Sequence, residues 1–190
     1  LLSKGRTAHE EGIAGSRGWG YKWNESIAKR LVLRSQTTTV SGRTLAKGVT
    51  PPFRMFSIGR VFRPDEIDWK HFIEFNQCEG IVCDENMNFR ELLGYLRTFA
   101  VEIIGAEDVK FAPSYFPFTE PSVEMHVKIR GKWTEVGGAG MFRPEMLEAL
   151  GCKVPVLAWG LGLDRFAMQA IKIGDIRDLA SQKLEFLRKA

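Results

Sequence analysis

Arg54-Met55-Phe56-Ser57-Ile58-Gly59-Arg60-Val61-Phe62-Arg63 and Phe72-Ile73-Glu74-Phe75-Asn76-Gln77-Cys78-Glu79-Gly80-Ile81-Val82-Cys83 decide the fold. Both runs are rich in β-branched and aromatic residues, and the polar stretch Pro64-Asp65-Glu66-Ile67-Asp68-Trp69-Lys70 lies between them. The pattern predicts a β-hairpin whose long charged loop is available for function. In the second strand, alternation places Ile73, Phe75, Gln77, Glu79 and Ile81 on one face. An ordinary core face would not set an amide and a carboxylate between Phe75 and Ile81. Arg63 closes the incoming strand and His71 opens the outgoing one. An arginine, acids, a histidine and an aromatic ring around one loop suit a nucleotide: charge for phosphate, polar edges for the base, a ring for stacking. The same spacing fits a solvent-exposed face on which Glu79 pairs with a surface base.

Upstream of the hairpin, Gly12 to Gly20 reads as loop. Asn24 is placed to cap a short helix through Ala28 and Lys29. Leu31-Val32-Leu33 reads as a strand entering the polar run Ser35-Gln36-Thr37-Thr38-Thr39. Ser41 is placed to cap a second short helix before the breaker Gly48-Val49-Thr50-Pro51-Pro52. Downstream, Asn88 caps the most regular helix of the chain, with Phe89, Leu92, Leu93, Leu96, Phe99, Ala100, Ile103 and Ile104 at helical spacing and Gly105 at its end. Strands follow at Val109–Ala112, Val123–Arg130 and Trp133–Val136, the last two joined by a turn at Gly131-Lys132. A short helix follows Pro144. Val154–Trp159 is an apolar strand, and Gly160-Leu161-Gly162-Leu163 leads into a helix from Asp164 to about Ile171. Strand runs with few crossover helices predict an α+β fold: one antiparallel sheet flanked by helices.

The whole sequence, 190 residues, suits one domain. Its apolar and charged fractions are those of an ordinary globular protein. No apolar run is long enough for a membrane span, and the N-terminus lacks the apolar core of a signal peptide. Cys78, Cys83 and Cys152 have no zinc spacing and read as buried free thiols of a reducing cytosol. A net charge of +4 is compatible with nucleic acid without pointing to it.

Two further constellations stand out. In Ala158-Trp159-Gly160-Leu161-Gly162-Leu163-Asp164-Arg165, glycines allow backbone to approach a ligand. Arg165 sits at a helix start, where an acid is normally favoured. A bound phosphate would explain it; a salt bridge at a tight strand–helix turn would too. In Tyr115-Phe116-Pro117-Phe118-Thr119-Glu120-Pro121, three aromatics and two prolines form a stiff apolar wall, for which core packing is the plainer account.

Phe62-Arg63-Pro64-Asp65-Glu66, continuing to Phe75-Asn76-Gln77-Cys78-Glu79-Gly80, resembles motif 2 of the class II aminoacyl-tRNA synthetases (about residues 54–83). Gly160-Leu161-Gly162-Leu163-Asp164-Arg165 resembles motif 3 (about residues 154–171). Tyr115–Pro121 and Val136-Gly137-Gly138-Ala139-Gly140-Met141-Phe142-Arg143-Pro144-Glu145 are similar to the phenylalanyl α-subunit family of archaeal and eukaryotic type. The likeness runs from about Gly12 to Leu187, and residues 1–190 read as a single catalytic core.

The resemblance implies ATP-dependent activation of L-phenylalanine and its transfer to tRNA(Phe). It implies a β-subunit partner in an α2β2 heterotetramer, Mg²⁺ with the ATP, no membrane association and a cytoplasmic location. Arg63 would contact the α-phosphate and the substrate carboxylate, Asp65 the adenine edge and His71 the outer phosphates. Phe75 would stack on adenine, with Arg165 on its other side and near the γ-phosphate; Arg63 and Arg165 are the catalytic pair. Gln77 and Glu79, with Thr38, would hold the amino group of phenylalanine. Phe116 and Phe118 would meet its ring edge to face, and Ala158 would form the pocket floor beside Gly160. Glu120 would bind a Mg²⁺ near the subunit contact. Gln36 stands where the family often has His at the amino-acid site. Motif 1, which makes the family's dimer interface, would precede Gly12 and is absent, as expected of a chain cut from a longer subunit or of a reduced relative. Two alternatives share these motifs: a sister synthetase, for phosphoserine or pyrrolysine, and a non-catalytic paralogue that binds nucleotide or tRNA.

Overall fold

The computed structural model describes residues 2–188. Its centre is a six-stranded sheet, in the order β1-β2-β6-β5-β4-β3. The strands are β1 (Phe53–Phe62), β2 (Glu74–Cys83), β3 (Asp108–Pro113), β4 (Thr119–Ile129), β5 (Lys132–Phe142) and β6 (Val156–Gly162). Every neighbouring pair is antiparallel. The expected α+β class, a sheet flanked by helices, is what forms. β1 and β2 make the expected hairpin, in register from Phe53 opposite Cys83 to Phe62 opposite Glu74.

The sheet has two differently covered faces. On one, α4 (Phe89–Thr98) packs through Leu92, Leu96 and then Ala100 against Val82, Met125, Val127, Leu157 and Leu161. Asn88 caps α4 as expected and completes a capping box with Glu91, a motif whose loss costs about 1 kcal/mol. The helix does not stay regular to Gly105. Its last turn widens into a π-turn at Phe99–Ile103, leaving Ile103 exposed while Ala100 stays buried. Helix α6 (Leu163–Ala170) joins this layer through Phe166 and buries Met168. On the other face, α3 (Thr38–Leu45) and α5 (Pro144–Ala149) cover only one end, through Leu45 and Leu147, together with Ile81, Cys83, Phe142, Val156 and Ala158. The rest of that face is open, and the cavity described below lies there.

Several local readings need correction. Leu31-Val32-Leu33 is not a strand; all three side chains are exposed and Leu31 is wholly so. Apolar, β-branched composition makes a strand only where a neighbour supplies the ladder, and among the described residues none pairs with this segment. Ser41 does not cap a helix. α3 begins at Thr38 with Thr37 as N-cap, and Ser41 lies inside it, fully buried. β5 runs through Gly137-Gly138-Ala139-Gly140 to Phe142 rather than stopping at Val136, and β6 includes Gly160 and Gly162. The hairpin loop between β4 and β5 is Arg130-Gly131, both at positive φ, one residue earlier than expected. Asn24 caps a short α2 (Glu25–Ala28) through Ile27 N–H, as expected. Helix α1 (Leu2–Glu10), a 3-10 turn at Ile176–Ala180 and α7 (Leu184–Leu187) complete the chain.

Candidate active site

A cavity of about 320 Å³ opens on the uncovered face, over β2, β6 and β5. The hairpin brings Arg63, Asp65, His71, Phe75, Gln77 and Glu79 to its wall. The segment into α3 adds Gln36 and Thr38, β6 and α6 add Ala158, Gly160 and Arg165, and the aromatic wall adds Phe116 and Phe118. Every residue expected at an ATP or amino-acid site therefore lines one cavity. Glu120 does not: it is exposed and outside the lining.

One end of the cavity is charged and aromatic. The Arg63 guanidinium lies 5.0 Å from the centre of the Phe75 ring. Arg63 N–H donates to the Ile73 carbonyl at 2.9 Å, which holds the base of the loop closed. Within the loop, Asp68 accepts from the backbone N–H groups of Lys70 and His71, both at 2.7 Å, and pairs with His71 Nδ1 at 3.0 Å. The His71 contact first, then the Lys70 N–H, hold the Asp68 carboxyl below the ordinary range. Ile176 N–H donates to the Trp69 carbonyl at 3.0 Å, so the 3-10 turn braces the loop from outside. Where β6 ends, Asp164 accepts from Asn76 N–H at 3.1 Å and Asn76 Nδ2 at 3.0 Å, fastening the start of α6 to β2. Arg165 Nη1 donates to the Glu135 carbonyl at 3.0 Å. No acid pairs with Arg165 within salt-bridge distance, so the salt-bridge account of this arginine does not hold among the described residues. Its charge is left for the cavity.

The middle of the cavity is polar and buried. Gln77 and Glu79 are 5% and 3% exposed, so neither lies on a solvent face. Ser41 Oγ donates to Glu79 Oε1 at 2.5 Å and Thr38 Oγ1 to Oε2 at 2.6 Å. Among the described residues no cationic side chain pairs with Glu79, and burial pushes its carboxyl above the ordinary range while the three hydroxyls of Ser41, Thr38 and Thr37 oppose the shift. Thr37 is the N-cap of α3 but makes no cap bond. Its N–H and hydroxyl turn instead to Gln77 Oε1, at 2.9 and 3.1 Å. That arrangement bears on the expectation that Gln77 partners the substrate amine. Its oxygen is already taken by two donors, and the end toward the cavity is Nε2, which a Cβ on Gly160 would meet at 2.7 Å. An N–H donor faces the cavity there, and an ammonium needs an acceptor.

The other end is apolar and built on glycines. A Cβ at Gly138 would overlap the Phe116 ring. Only glycine lets that ring lie on the strand. A Cβ at Gly140 would stand 2.6 Å from the Thr119 Cβ. Phe116 and Phe118 are stacked, centroids 6.5 Å apart at 21°, and Phe118 meets Phe142 edge-on at 6.3 Å and 76°. Ala158, 5% exposed, lies across from Gly140 on the neighbouring strand. Reading the sequence alone did not place Gly137, Gly138, Gly140 or Phe142 at the site. The signal was there in the density of glycines beside a phenylalanine-rich segment, but a glycine run reads as a loop.

Residues 13–190 match the family of tRNA synthetases class II core domain (F). The chain is 56% identical over 193 residues to a phenylalanine–tRNA ligase alpha subunit of Thermococcus gammatolerans, covering 100% of this chain and 38% of that protein. It is 54% identical to that of Pyrococcus horikoshii, with the same coverage, and 46% identical over 187 residues to that of Thermoplasma acidophilum, covering 98% of this chain and 37% of that protein. This chain thus spans well under half the length of these relatives. Among solved structures, a pyrrolysyl-tRNA synthetase from Desulfitobacterium hafniense superposes with a TM-score of 0.60 at 19% identity, over 79% of this chain and 54% of that one. That likeness is one of fold.

Proposed function

We propose, for a chain that belongs to the class II tRNA synthetase core domain family, that the cavity binds ATP and L-phenylalanine side by side and joins them as phenylalanyl-adenylate, which is then passed to tRNA(Phe). One observation carries this reading: two arginines with no acidic partner among the described residues, an aromatic face, a buried carboxylate and an aromatic apolar end line a single cavity, in the order the strand registers set.

In this reading Phe75 stacks on the adenine and Asp65 meets its polar edge. Arg165 closes on the nucleotide from α6, and His71 reaches the outer phosphates. A carboxylate oxygen of phenylalanine attacks the α-phosphorus in line, the bond to the bridging oxygen breaks, and pyrophosphate leaves. Arg63 meets the charge that builds on the α-phosphate, and no protein nucleophile takes part; positioning and fixed positive charge lower the barrier. The Glu79 carboxylate and the Thr38 hydroxyl receive the substrate ammonium. Gln77 Nε2 donates to a carboxylate oxygen and so orients the attacking group. The ring of phenylalanine enters between Phe116, Phe118 and Ala158. In the second step the 2′-hydroxyl of the terminal adenosine of tRNA takes the acyl group.

Mg²⁺ would neutralise the outer phosphates. Such an ion is held by one or two carboxylates and the phosphates themselves. Glu135, beside Arg165 on the cavity wall, fits that part. Glu120 lies outside this cavity, so an ion held there would be a separate one near the subunit contact, and Glu124 already accepts from the Ser114 hydroxyl at 2.9 Å. We also place this chain in a longer α subunit that works with a β subunit, as an α2β2 heterotetramer in the cytoplasm. No helix among the described residues is long and apolar enough to cross a membrane.

A phosphoserine substrate would call for cations at the side-chain end, where this cavity has phenylalanines and glycines. A non-catalytic paralogue would have no use for Arg63, Phe75, Glu79 and Arg165 in one cavity. ATP–pyrophosphate exchange with each amino acid in turn tests the proposal, on the full-length protein with its partner. Exchange with phenylalanine alone supports it. Exchange with another amino acid, or with none, overturns it.

A further inference from the structure

We propose that Ser41 is a positioning residue for amino-acid activation: from inside α3 it fixes the Glu79 carboxylate in the orientation that receives the substrate ammonium. The inference rests on the assignment of Glu79 to the amine site above. Ser41 does not line the cavity and touches no substrate in that reading.

The carboxylate is buried, and a buried charge is tolerated only when its lone pairs are met. What meets them is unusual in being neutral. β1 presents Ser57 opposite Glu79, its hydroxyl making no bond to the carboxylate, and β6 presents Gly160. α3 presents Thr37, Thr38 and Ser41. From the end of β1 and from α6, Arg63, Asp164 and Arg165 face the same cavity, but none pairs with Glu79. The adjoining Cys78 thiol is raised by burial first and then by the Glu79 charge. Hydroxyls therefore stand where a fixed cation would otherwise stand. A fixed cation would compete with an ammonium ligand; a hydroxyl does not.

The two oxygens are shared out one to each of two side chains. Oε1 is held by Ser41 at 2.5 Å and Oε2 by Thr38 at 2.6 Å; the Thr37 hydroxyl, 3.5 Å from Oε2, gives its one proton to Gln77 Oε1 at 3.1 Å. Thr38 and Ser41 are three residues apart on α3, so they project from one face of the helix and span the two oxygens of a single carboxylate. Each oxygen keeps a lone pair for the cavity. Thr38 borders the cavity and its oxygen is free to accept from the amine, whereas Ser41 is fully buried. Removing the Ser41 hydroxyl leaves Oε1 without a partner. That loosens the carboxylate and favours its protonated form.

The test is pyrophosphate exchange by the full-length protein with its partner subunit, across pH, with KM measured for phenylalanine and for ATP. Ser41→Ala should raise the KM for phenylalanine about tenfold or more, leave the KM for ATP in place, and move the acid limb of kcat/KM for phenylalanine to higher pH. Ser41→Thr, which keeps the hydroxyl, should restore both. Glu79→Gln should remove the acid limb. If Ser41→Ala loses its thermal transition, Ser41→Cys, close in volume but a weak donor, takes its place. Wild-type KM and acid limb in the serine variants, with Glu79→Gln impaired, would overturn the role of Ser41 and leave the amine site standing. Equal rises in both KM values would overturn it too, as the mark of a merely structural residue. An unimpaired Glu79→Gln would bring down the assignment of Glu79 itself.

Discussion

The two ends of the cavity are built from opposite materials. At the hairpin end the recognition groups are long side chains, Arg63, Asp65, His71 and Phe75, carried on and beside a loop. At the β5–β6 end the wall is made by leaving side chains out: Gly138 carries the Phe116 ring, Gly140 and Gly160 leave room for Thr119 and Gln77, and Phe118 packs into the cluster that holds Ala158. In the proposed reading the first design aims charge at reacting atoms. The second makes a shaped space. Substitutions should therefore act differently at the two ends. Truncation should harm the hairpin end, and addition should harm the glycine end.

Arg63→Ala gives the sharpest form of this contrast. The residue is half-buried, its guanidinium touching the Phe75 ring rather than a core, so the fold should stay intact. Losing a charge-assisted contact to the reacting phosphate should cost about 3–4 kcal/mol in adenylate formation. The measurement is exchange rate together with thermal stability. Near-normal exchange in a folded variant would sink the assignment. Arg165→Ala should have a smaller effect, about 1.5–3 kcal/mol, concentrated in ATP binding. It also removes the bond to the Glu135 carbonyl. ATP affinity and rate that both stay put would make Arg165 a strap between α6 and β5 and nothing more.

The difference between the two ends also explains what could be read in advance. Side-chain chemistry at strand alternation is legible in a sequence, and Phe75, Gln77 and Glu79 share the wall of the cavity as alternation requires. α4 was legible too, because a capping residue and an apolar stripe are local signals. The glycine floor was not. A glycine in a strand looks like a loop until the group that needs its space is known, and for Gly138 that group is Phe116, twenty-two residues earlier. The same holds for Ser41. As a serine near a helix start it reads as a cap, and only the packing of α3 on β2 turns it toward Glu79. The orientation of Gln77 depends on Thr37 N–H, a backbone donor forty residues away. The false strand at Leu31–Leu33 is the converse case: the local signal was strong, and no neighbouring strand was there to receive it.

Addition at the glycine end gives the next test. Gly138→Ala places a methyl group where the Phe116 ring lies. The ring must shift, at a cost of about 1–3 kcal/mol from overpacking. The effect should appear in the KM for phenylalanine with the KM for ATP unchanged, the reverse of Arg165→Ala. A variant that weakened ATP as much as phenylalanine would erase the division between the two ends.

The finest test is at Ala158, where the shape of the pocket is set by one methyl group. Ala158 lies on β6 between Ile81 of β2 and Gly140 of β5, and Phe118 and Phe142 pack into the same cluster. Its methyl group therefore faces the space that Phe116 and Phe118 border, where the proposed reading puts the para position of a bound phenyl ring. Ala158→Val adds bulk where the ring would sit and should reject phenylalanine by about 1–3 kcal/mol. Ala158→Gly removes one methyl group, which is worth about 0.8 kcal/mol of buried surface. Phenylalanine should still react, and para-chlorophenylalanine should gain. The measurement is kcat/KM for both amino acids in the wild type and both variants, in the full-length protein with its partner. The ratio of para-chlorophenylalanine to phenylalanine should rise in Ala158→Gly and the rate with both should fall in Ala158→Val. The phosphoserine alternative predicts neither change, since its side chain would want a cation there and not room. A ratio that is the same in all three proteins would place Ala158 outside the ring site. The glycine floor would then be a feature of sheet packing, and only the hairpin end of the cavity would remain as a recognition surface.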